Sequence, residues 1–305
     1  MTSLKDLAEL VRAPAGLTVP GDTLAGAASA GWPAGRRTAL LPLASVSLYW
    51  AGMALNDWAD RDLDAVERPE RPIPSGRVTP GTALALATGL TATGVGLAAA
   101  AGGAPAAAVA VVLAGAVWAY DLSAKSGPGS TAVMASTRGL DVLLGAAAGG
   151  LPALRRAIAP AALLAAHTAG VTALSRGEVH GTRPTIARGA VGVTAVVTSL
   201  VPVLASSRRV GRMGRQGRQG RAGWVANAVA IGAATAYASS VGRAQSAAVT
   251  DPGAATARRA TVAGIRGMVP LQSALVASAG EAGAAVALGA LSWVARSATR
   301  KGSPT

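Results

Sequence analysis

The sequence predicts an all-α membrane protein, a polytopic bundle of about nine transmembrane helices in a single domain spanning residues 1–305. Three observations carry this. Hydrophobic residues make up 51% of the chain and charged residues only 14%, where a soluble domain carries about 25% charged. Several uncharged runs are long enough to cross a bilayer, which takes about 20 mostly apolar residues. The apolar content is Ala, Leu and Val with 39 Gly and no Phe, a small-surfaced composition that lets membrane helices approach closely.

The spans follow in order. Residues 15–31 form a first candidate that carries Asp22, and residues 38–56 form an uncharged second. No charge occurs between Arg77 and Asp121, room for two helices with a break at Gly102-Gly103-Ala104-Pro105. Residues 129–150 come next, with Arg138 and Asp141 inside. Residues 157–175, 189–207 and 222–242 are uncharged runs, and 268–294 closes the set with Glu281 inside. Trp32, Trp50, Trp118, Tyr120, Trp224 and Trp293 fall near proposed span ends, where amphipathic rings favour the headgroup level.

The formal net charge is +14. A nucleic-acid partner is excluded because the Arg residues sit in short stretches between apolar segments, as in basic loops beside spans. With no Cys, disulfides, zinc clusters and thiol nucleophiles are excluded too. The N-terminus lacks the basic start and continuous apolar core of a signal peptide, so an uncleaved, cytoplasmic N-terminus is expected. Loops around 57–80, 121–128, 176–188 and 243–266 then share its side and carry most of the Lys and Arg, which predicts an inner (plasma) membrane protein with its active face in the cytoplasm. The basic stretch 206–223 falls on the opposite side and reads as a flexible insertion without chemistry.

Chemistry concentrates in ALNDWADRDLDAVERPERPIPSGR, residues 54–77. On a helix, Asp57, Asp60 and Asp64 fall within about 60° of one another, and Asp62 points away into solvent. Like charges at these spacings destabilise a helix, so a cation should compensate. Oxygen ligands without His or Cys suit a hard cation, Mg²⁺ first, which binds through few carboxylates plus substrate phosphates. The spacing favours the metal and leaves open a solvated acidic loop paired with Arg61, Arg68 and Arg71.

The run Asn56-Asp57-x-x-Asp60-x-x-x-Asp64, followed by Arg71-Pro72-Ile73-Pro74-Ser75-Gly76, resembles the first aspartate motif of the UbiA superfamily of intramembrane prenyltransferases, of the 4-hydroxybenzoate polyprenyltransferase kind. The resemblance implies a nine-span bundle whose acids hold Mg²⁺ against the diphosphate of an isoprenyl donor. It makes Asp57, Asp60 and Asp64 metal or diphosphate ligands with Asn56 in support, and Arg68 and Arg71 phosphate contacts. Tyr120-Asp121-x-x-x-Lys125 followed by Arg138 resembles a second family stretch, which puts Lys125 and Arg138 with the diphosphate. The family's second acidic motif is degenerate here: residues 172–181 keep Glu178 as their only acid, beside Arg176 and His180. Either Glu178 ligates a second Mg²⁺, or Arg176 replaces that metal's charge by binding phosphate.

The implied reaction is ionisation of the allylic C–O bond and capture of the carbocation by a lipophilic acceptor, with Asp121 or water removing a proton. Arg138 and Asp141, three residues apart, are expected to pair, and His167 reads as a hydrogen-bonded packing residue. Glu281 faces a cavity or sits in a break between two half-helices. The Asn-Asp-Trp-Ala-Asp sequence lacks the Gly and Ala-Arg signature of enzymes acting on CDP-alcohols. A cation-coupled transporter lacks its expected paired broken spans. A non-catalytic relative with the second metal lost is the remaining rival.

Overall fold

The computed structural model describes residues 2–125, 127, 129–213 and 221–301, without the side chains of Leu17, 207–213 and 292–301. Most of the basic stretch 206–223 and the Trp293 side chain therefore lie outside the described residues. The helices are α1 (Leu4–Leu10), α2 (Pro20–Ala30), α3 (Leu40–Ala59), α4 (Arg61–Glu67), α5 (Pro80–Ala119), α6 (Ser130–Ala146), α7 (Gly150–Ser175), α8 (Pro184–Met213), α9 (Arg221–Thr250), α10 (Ala254–Ser278) and α11 (Ala282–Lys301). Three short 3₁₀ turns and a π-helical turn, Tyr120–Ala124, complete them, and the described residues include no strand.

Local chemistry sets the boundaries. Ser3 and Asp6 form a capping box at the start of α1, and the Thr79 hydroxyl accepts from the Thr82 amide ahead of Pro80 at the start of α5. Gly31, at φ 80°, closes α2 in the left-handed conformation. Gly102 and Gly103 leave helical geometry just before Pro105, so α5 is two helices joined by a kink where the sequence predicts one.

Six stretches are long and apolar enough to cross a membrane, and two of them, Pro80–Ala124 and Ser130–Ser175, are 45 and 46 residues long. At about 1.5 Å per residue each of those two covers the bilayer core twice. α2 is different: its 11 residues carry Asp22, and it is held by burial instead of by length. All of α2 except Pro20 and Leu24 is buried, among α3, α6, α7 and α10.

The expectation of one span over 268–294 is corrected. α10 ends at Ser278, Gly280 has φ 96°, and α11 begins at Ala282, so Glu281 sits in a break between two helices. The expected loop 243–266 is likewise helical on both sides of residues 251–253, with Arg258, Arg259 and Arg266 on α10. A helix tolerates these Arg residues because long side chains carry their charge to its exposed faces.

The interior is built from Ala, Leu, Val and Gly. Gly26 of α2 faces the Val142 carbonyl of α6, and Gly145 of α6 faces the Thr23 carbonyl of α2, with no room for a Cβ at either position. This backbone-to-backbone approach is what small residues permit between membrane helices. Trp32, Trp50 and Trp118 pack partly into the core, and the Trp118 indole donates to Thr91. Among the described side chains of the expected aromatic belt, Trp224, 64% exposed, is the one with the open placement of an interfacial ring.

Candidate active site

The acidic segment begins as the end of α3 and continues into α4 across Asp60, whose backbone leaves helical geometry (φ −89°, ψ 4°). The break is slight, so Asp57, Asp60 and Asp64 turn inward together. Asp57 and Asp64 are buried, and Asp62 is 89% exposed against Arg61. The Arg61 guanidinium lies 5.0 Å from the Trp58 ring centroid and takes no part in the inward cluster.

Each inward carboxylate meets a cation. Asp57 Oδ1 accepts from Arg12 at 2.9 Å, and from Arg71 and Asn56 at 3.4 Å. Asp64 Oδ2 accepts from Arg71 at 2.5 Å, and its Oδ1 lies 3.5 Å from Arg68 without a hydrogen-bond partner. Lys125 donates to Asp60 and, at 2.6 Å, to the Asn56 side-chain oxygen. Arg71 is aimed by the turn that follows it. Ser75 bonds back to the Arg71 carbonyl, Gly76 supplies φ 76°, and Ile73 and Val78 bury against Leu10 and Leu55.

Arg12 is the contributor that sequence reasoning missed. It sits in the left-handed region at φ 48°, unusual for a residue with a Cβ, and reaches both Met53 and Asp57. The segment before it is latched from outside: Arg77 binds Asp6 at 2.8 Å and Glu9 at 2.7 Å, tying α1 to the turn after the acidic helix. No spacing signal links residue 12 to residue 57; only a conformation foreign to non-glycine residues marks it.

Asp121 lies in the π-helical turn, the kind of irregularity that recurs at functional sites. Its Oδ2 and the Val117 side chain both border the empty place where Gly52 has no Cβ. Lys125, Asp60, Arg12 and Asp57 are the charges that act on it. Arg176, at the end of α7, donates to Ser130 and meets no carboxylate among the described residues; Arg176 and Asp60 both act on Tyr120.

Three expected placements are not realised. Arg138 does not pair with Asp141 and does not join the diphosphate set. It binds Asp22 of α2 at 2.7 Å, deeper in the bundle, because three residues of helix turn Asp141 toward Ser45 instead, at 2.5 Å. Glu178 reaches no other acid; its backbone carbonyl is held by Arg258. His167 is the packing residue expected, with Nδ1 2.9 Å from the Tyr237 hydroxyl and Nε2 3.0 Å from the Gly264 carbonyl.

Whether these residues suit Mg²⁺ can be tested on Arg71. Its Nη1 lies within reach of both Asp57 and Asp64, so oxygens of two carboxylates converge on one cationic atom. No cluster of three His, Cys, Asp or Glu occurs among the described residues. Two carboxylates completed by phosphate oxygens and water is a usual magnesium arrangement, and the donor set fits it.

Residues 17–248 match the UbiA prenyltransferase family. Among curated proteins the chain is similar to digeranylgeranylglyceryl phosphate synthase of Natronomonas pharaonis, 39% identical over 93 residues (30% of this chain, 34% of the relative). The Halobacterium salinarum protein of the same name is 36% identical over 157 residues, covering 50% of this chain and 56% of that one. A third relative, 4-hydroxybenzoate octaprenyltransferase of Burkholderia pseudomallei, is 45% identical over 65 residues (21% and 23%). The matches thus span less than two thirds of each of these relatives. A solved UbiA homolog from Aeropyrum pernix superposes with a TM-score of 0.59 at 19% identity, covering 90% of this chain and 98% of that one. A solved digeranylgeranylglyceryl phosphate synthase gives 0.61 at 18%, covering 92% and 99%, and at such identities the likeness concerns the fold.

Proposed function

The chain belongs to the UbiA prenyltransferase family, and from that membership we propose that it transfers a prenyl group from an isoprenyl diphosphate to a lipophilic acceptor within the membrane. The observation that carries the proposal is the convergence of Asp57, Asp60 and Asp64 with Arg12, Arg68, Arg71 and Lys125 at one end of the bundle. Such a mixed cluster binds a polyanion: the carboxylates hold a divalent cation and the basic groups contact phosphate oxygens directly. Mg²⁺ bound by Asp57 and Asp64, with Asp60 beside them, would supply positive charge to the leaving diphosphate.

The residues of the chain do the remainder. Lys125, Arg68 and Arg71 orient the diphosphate, and Arg176, which meets no carboxylate among the described residues, faces the same anion in place of the degenerate second acidic motif. As the allylic C–O bond breaks, its electron pair stays on diphosphate oxygen and the carbocation is captured by the acceptor. Asp121, between Lys125 and the gap over Gly52, receives the proton that the acceptor releases. Apolar helices around the cluster keep water from the cation. We place the site on the cytoplasmic side of the plasma membrane, where the basic residues near the acidic face belong by the positive-inside rule. α10 and α11 lie outside the matched residues but α10 packs on α2, α7 and α9, which supports one domain over the whole chain.

The test is thermal stabilisation of the detergent-purified protein by geranyl, farnesyl and geranylgeranyl diphosphate, with Mg²⁺ or with EDTA. Stabilisation that needs Mg²⁺ and is lost in Asp60→Asn supports the reading. A folded protein that no prenyl diphosphate stabilises would be a non-catalytic relative or a transporter.

A further inference from the structure

At the end of the bundle away from the acidic face, four arginines meet no acid. Arg176 at the end of α7 donates to Ser130 at the start of α6, so the turn joining these helices, Ala147–Gly149, lies at the far end. Pro33 packs on Gly149 so closely that a Cβ there would stand 2.9 Å from it. Arg36 and Arg37 follow Pro33 on a 3₁₀ turn, and Arg155 and Arg156 lie on the second turn of α7. All four are exposed, and among the described residues none of them forms an ion pair or hydrogen bond. On the orientation proposed above this end faces away from the cytoplasm, where the positive-inside bias leaves few arginines.

Beside Arg155 the surface is grooved. An open cleft of about 320 Å³ runs between the second half of α5, α6 and α7, bordered by Ala108, Val112, Leu140, Leu143, Leu151 and Arg155. Its wall is apolar throughout, and Arg155 gives it methylenes instead of charge. The 26 residues of α7 extend for about 39 Å against a bilayer core of about 30 Å. With the helix centred on the core, the Arg155 backbone lies about 3 Å inside its edge. From there a side chain of this length carries its guanidinium to the level of the lipid phosphates.

The cleft and the arginines together select a ligand that neither selects alone. Hydrocarbon gains little by leaving a bilayer for an apolar wall, so the cleft by itself prefers no lipid. Unpaired guanidiniums prefer a phosphate, which Arg engages through two parallel hydrogen bonds. An ammonium on the same headgroup would be repelled by the neighbouring arginines, so a zwitterionic lipid loses what an anionic one keeps. We propose that this cleft seats one acyl chain of an anionic phospholipid whose phosphate is held by Arg155 and Arg156, with Arg36 and Arg37 adding to the positive field. The inference depends on membrane insertion and not on the prenyl-transfer reading.

The probes are dioleoyl phosphatidylglycerol and dioleoyl phosphatidylcholine, which share their chains and differ in net charge. Each is titrated into the full-length protein in neutral detergent while the thermal midpoint is followed. Phosphatidylglycerol is expected to raise the midpoint at a concentration about tenfold lower than phosphatidylcholine. Arg155→Gln with Arg156→Gln should abolish that preference, whereas Arg188→Gln, an exposed arginine on α8 near the acidic face, should preserve it. Arg155→Gln alone, expected to reduce the preference to about threefold, decides the matter if the double variant does not fold. Ala108→Trp, which fills the cleft and leaves the arginines in place, should remove the phosphatidylglycerol effect. Equal stabilisation by the two lipids, or a preference that survives loss of both arginines, overturns the proposal. A phosphatidylglycerol effect unchanged in Ala108→Trp overturns the cleft as the seat of the chain. Stabilisation by glycerol phosphate equal to that by phosphatidylglycerol overturns it as well, since the arginines would then hold a free anion and no lipid.

Discussion

Asp60→Asn separates the chemistry of the acidic face from its architecture. The Asp60 side chain is partly exposed and its oxygen is shared by Lys125 and Asn56. Loss of such a pair costs stability by only about 0–1 kcal/mol, and Asn keeps the shape and one oxygen. Removal of a preorganised charge from a centre where charge develops in the transition state costs about 10²–10³ in turnover. The expected outcome is a melting point within a few degrees of wild type and diphosphate release reduced at least about a hundredfold. Asp62→Asn is the control, because its side chain is 89% exposed and lies 3.6 Å from Arg61; turnover should stay within about twofold, as for a weak surface pair. The assay is Mg²⁺-dependent release of diphosphate from each prenyl diphosphate, with thermal midpoints taken on the same samples. Equal losses at the two positions would refute the division of this helix into an inward and an outward face.

Further outcomes follow from the geometry. Gly26→Ala should lower stability by about 1–3 kcal/mol, as overpacking does, because the new Cβ meets the Val142 carbonyl of α6. Gly96→Ala on α5, with nothing within 4 Å, should be neutral or stabilising by up to about 1 kcal/mol; the same sign for both in a denaturation series would contradict the packing. Tyr237→Phe leaves His167 Nδ1 without its buried partner and should cost about 1–3 kcal/mol, read in the same series with His167→Phe as the second arm of a cycle. The Ser3 and Arg77 hydrogen bonds hold the Asp6 carboxyl down at about 2 from 3.8. A lowered carboxyl stabilises the folded state fully above its unfolded value and loses that effect as pH falls through its folded value. Protection of the α1 amides, taken as exchange relative to the unfolded chain at the same pH, should therefore hold down to about pH 4 and fall toward pH 2, and protection unchanged over that range would show that the latch does not hold α1.

Much of the fold was legible because a membrane makes composition speak. The uncharged runs became α3, the two halves of α5, α7, α8 and α9, and the Gly102-Gly103-Ala104-Pro105 break became the kink. Misreadings occurred where charge sits on a helix. Arg258, Arg259 and Arg266 looked like a loop yet lie on α10, and 268–294 looked continuous although it straddles Glu281. In the acidic segment the period of the helix was enough to separate Asp62 from its neighbours. Arg12 and Asp22 were beyond such reasoning, since the contacts that define them, with Asp57 and with Arg138, join residues 45 and 116 positions apart. The local spacing of Arg138 and Asp141 pointed to the wrong partner for the same reason.

Those separations also impose an order on biosynthesis. Asp22 leaves the ribosome 116 residues before Arg138 and 250 before Gln272. Through that interval a helix of 11 residues, too short to span and carrying a lone carboxylate, has no partner in the bilayer core. α2 can settle only when α6 and then α10 have been inserted around it. The acidic face draws only on residues 12–125, so a truncated chain ending before α10 would carry every residue of the aspartate motif without the α10 contacts that bury α2.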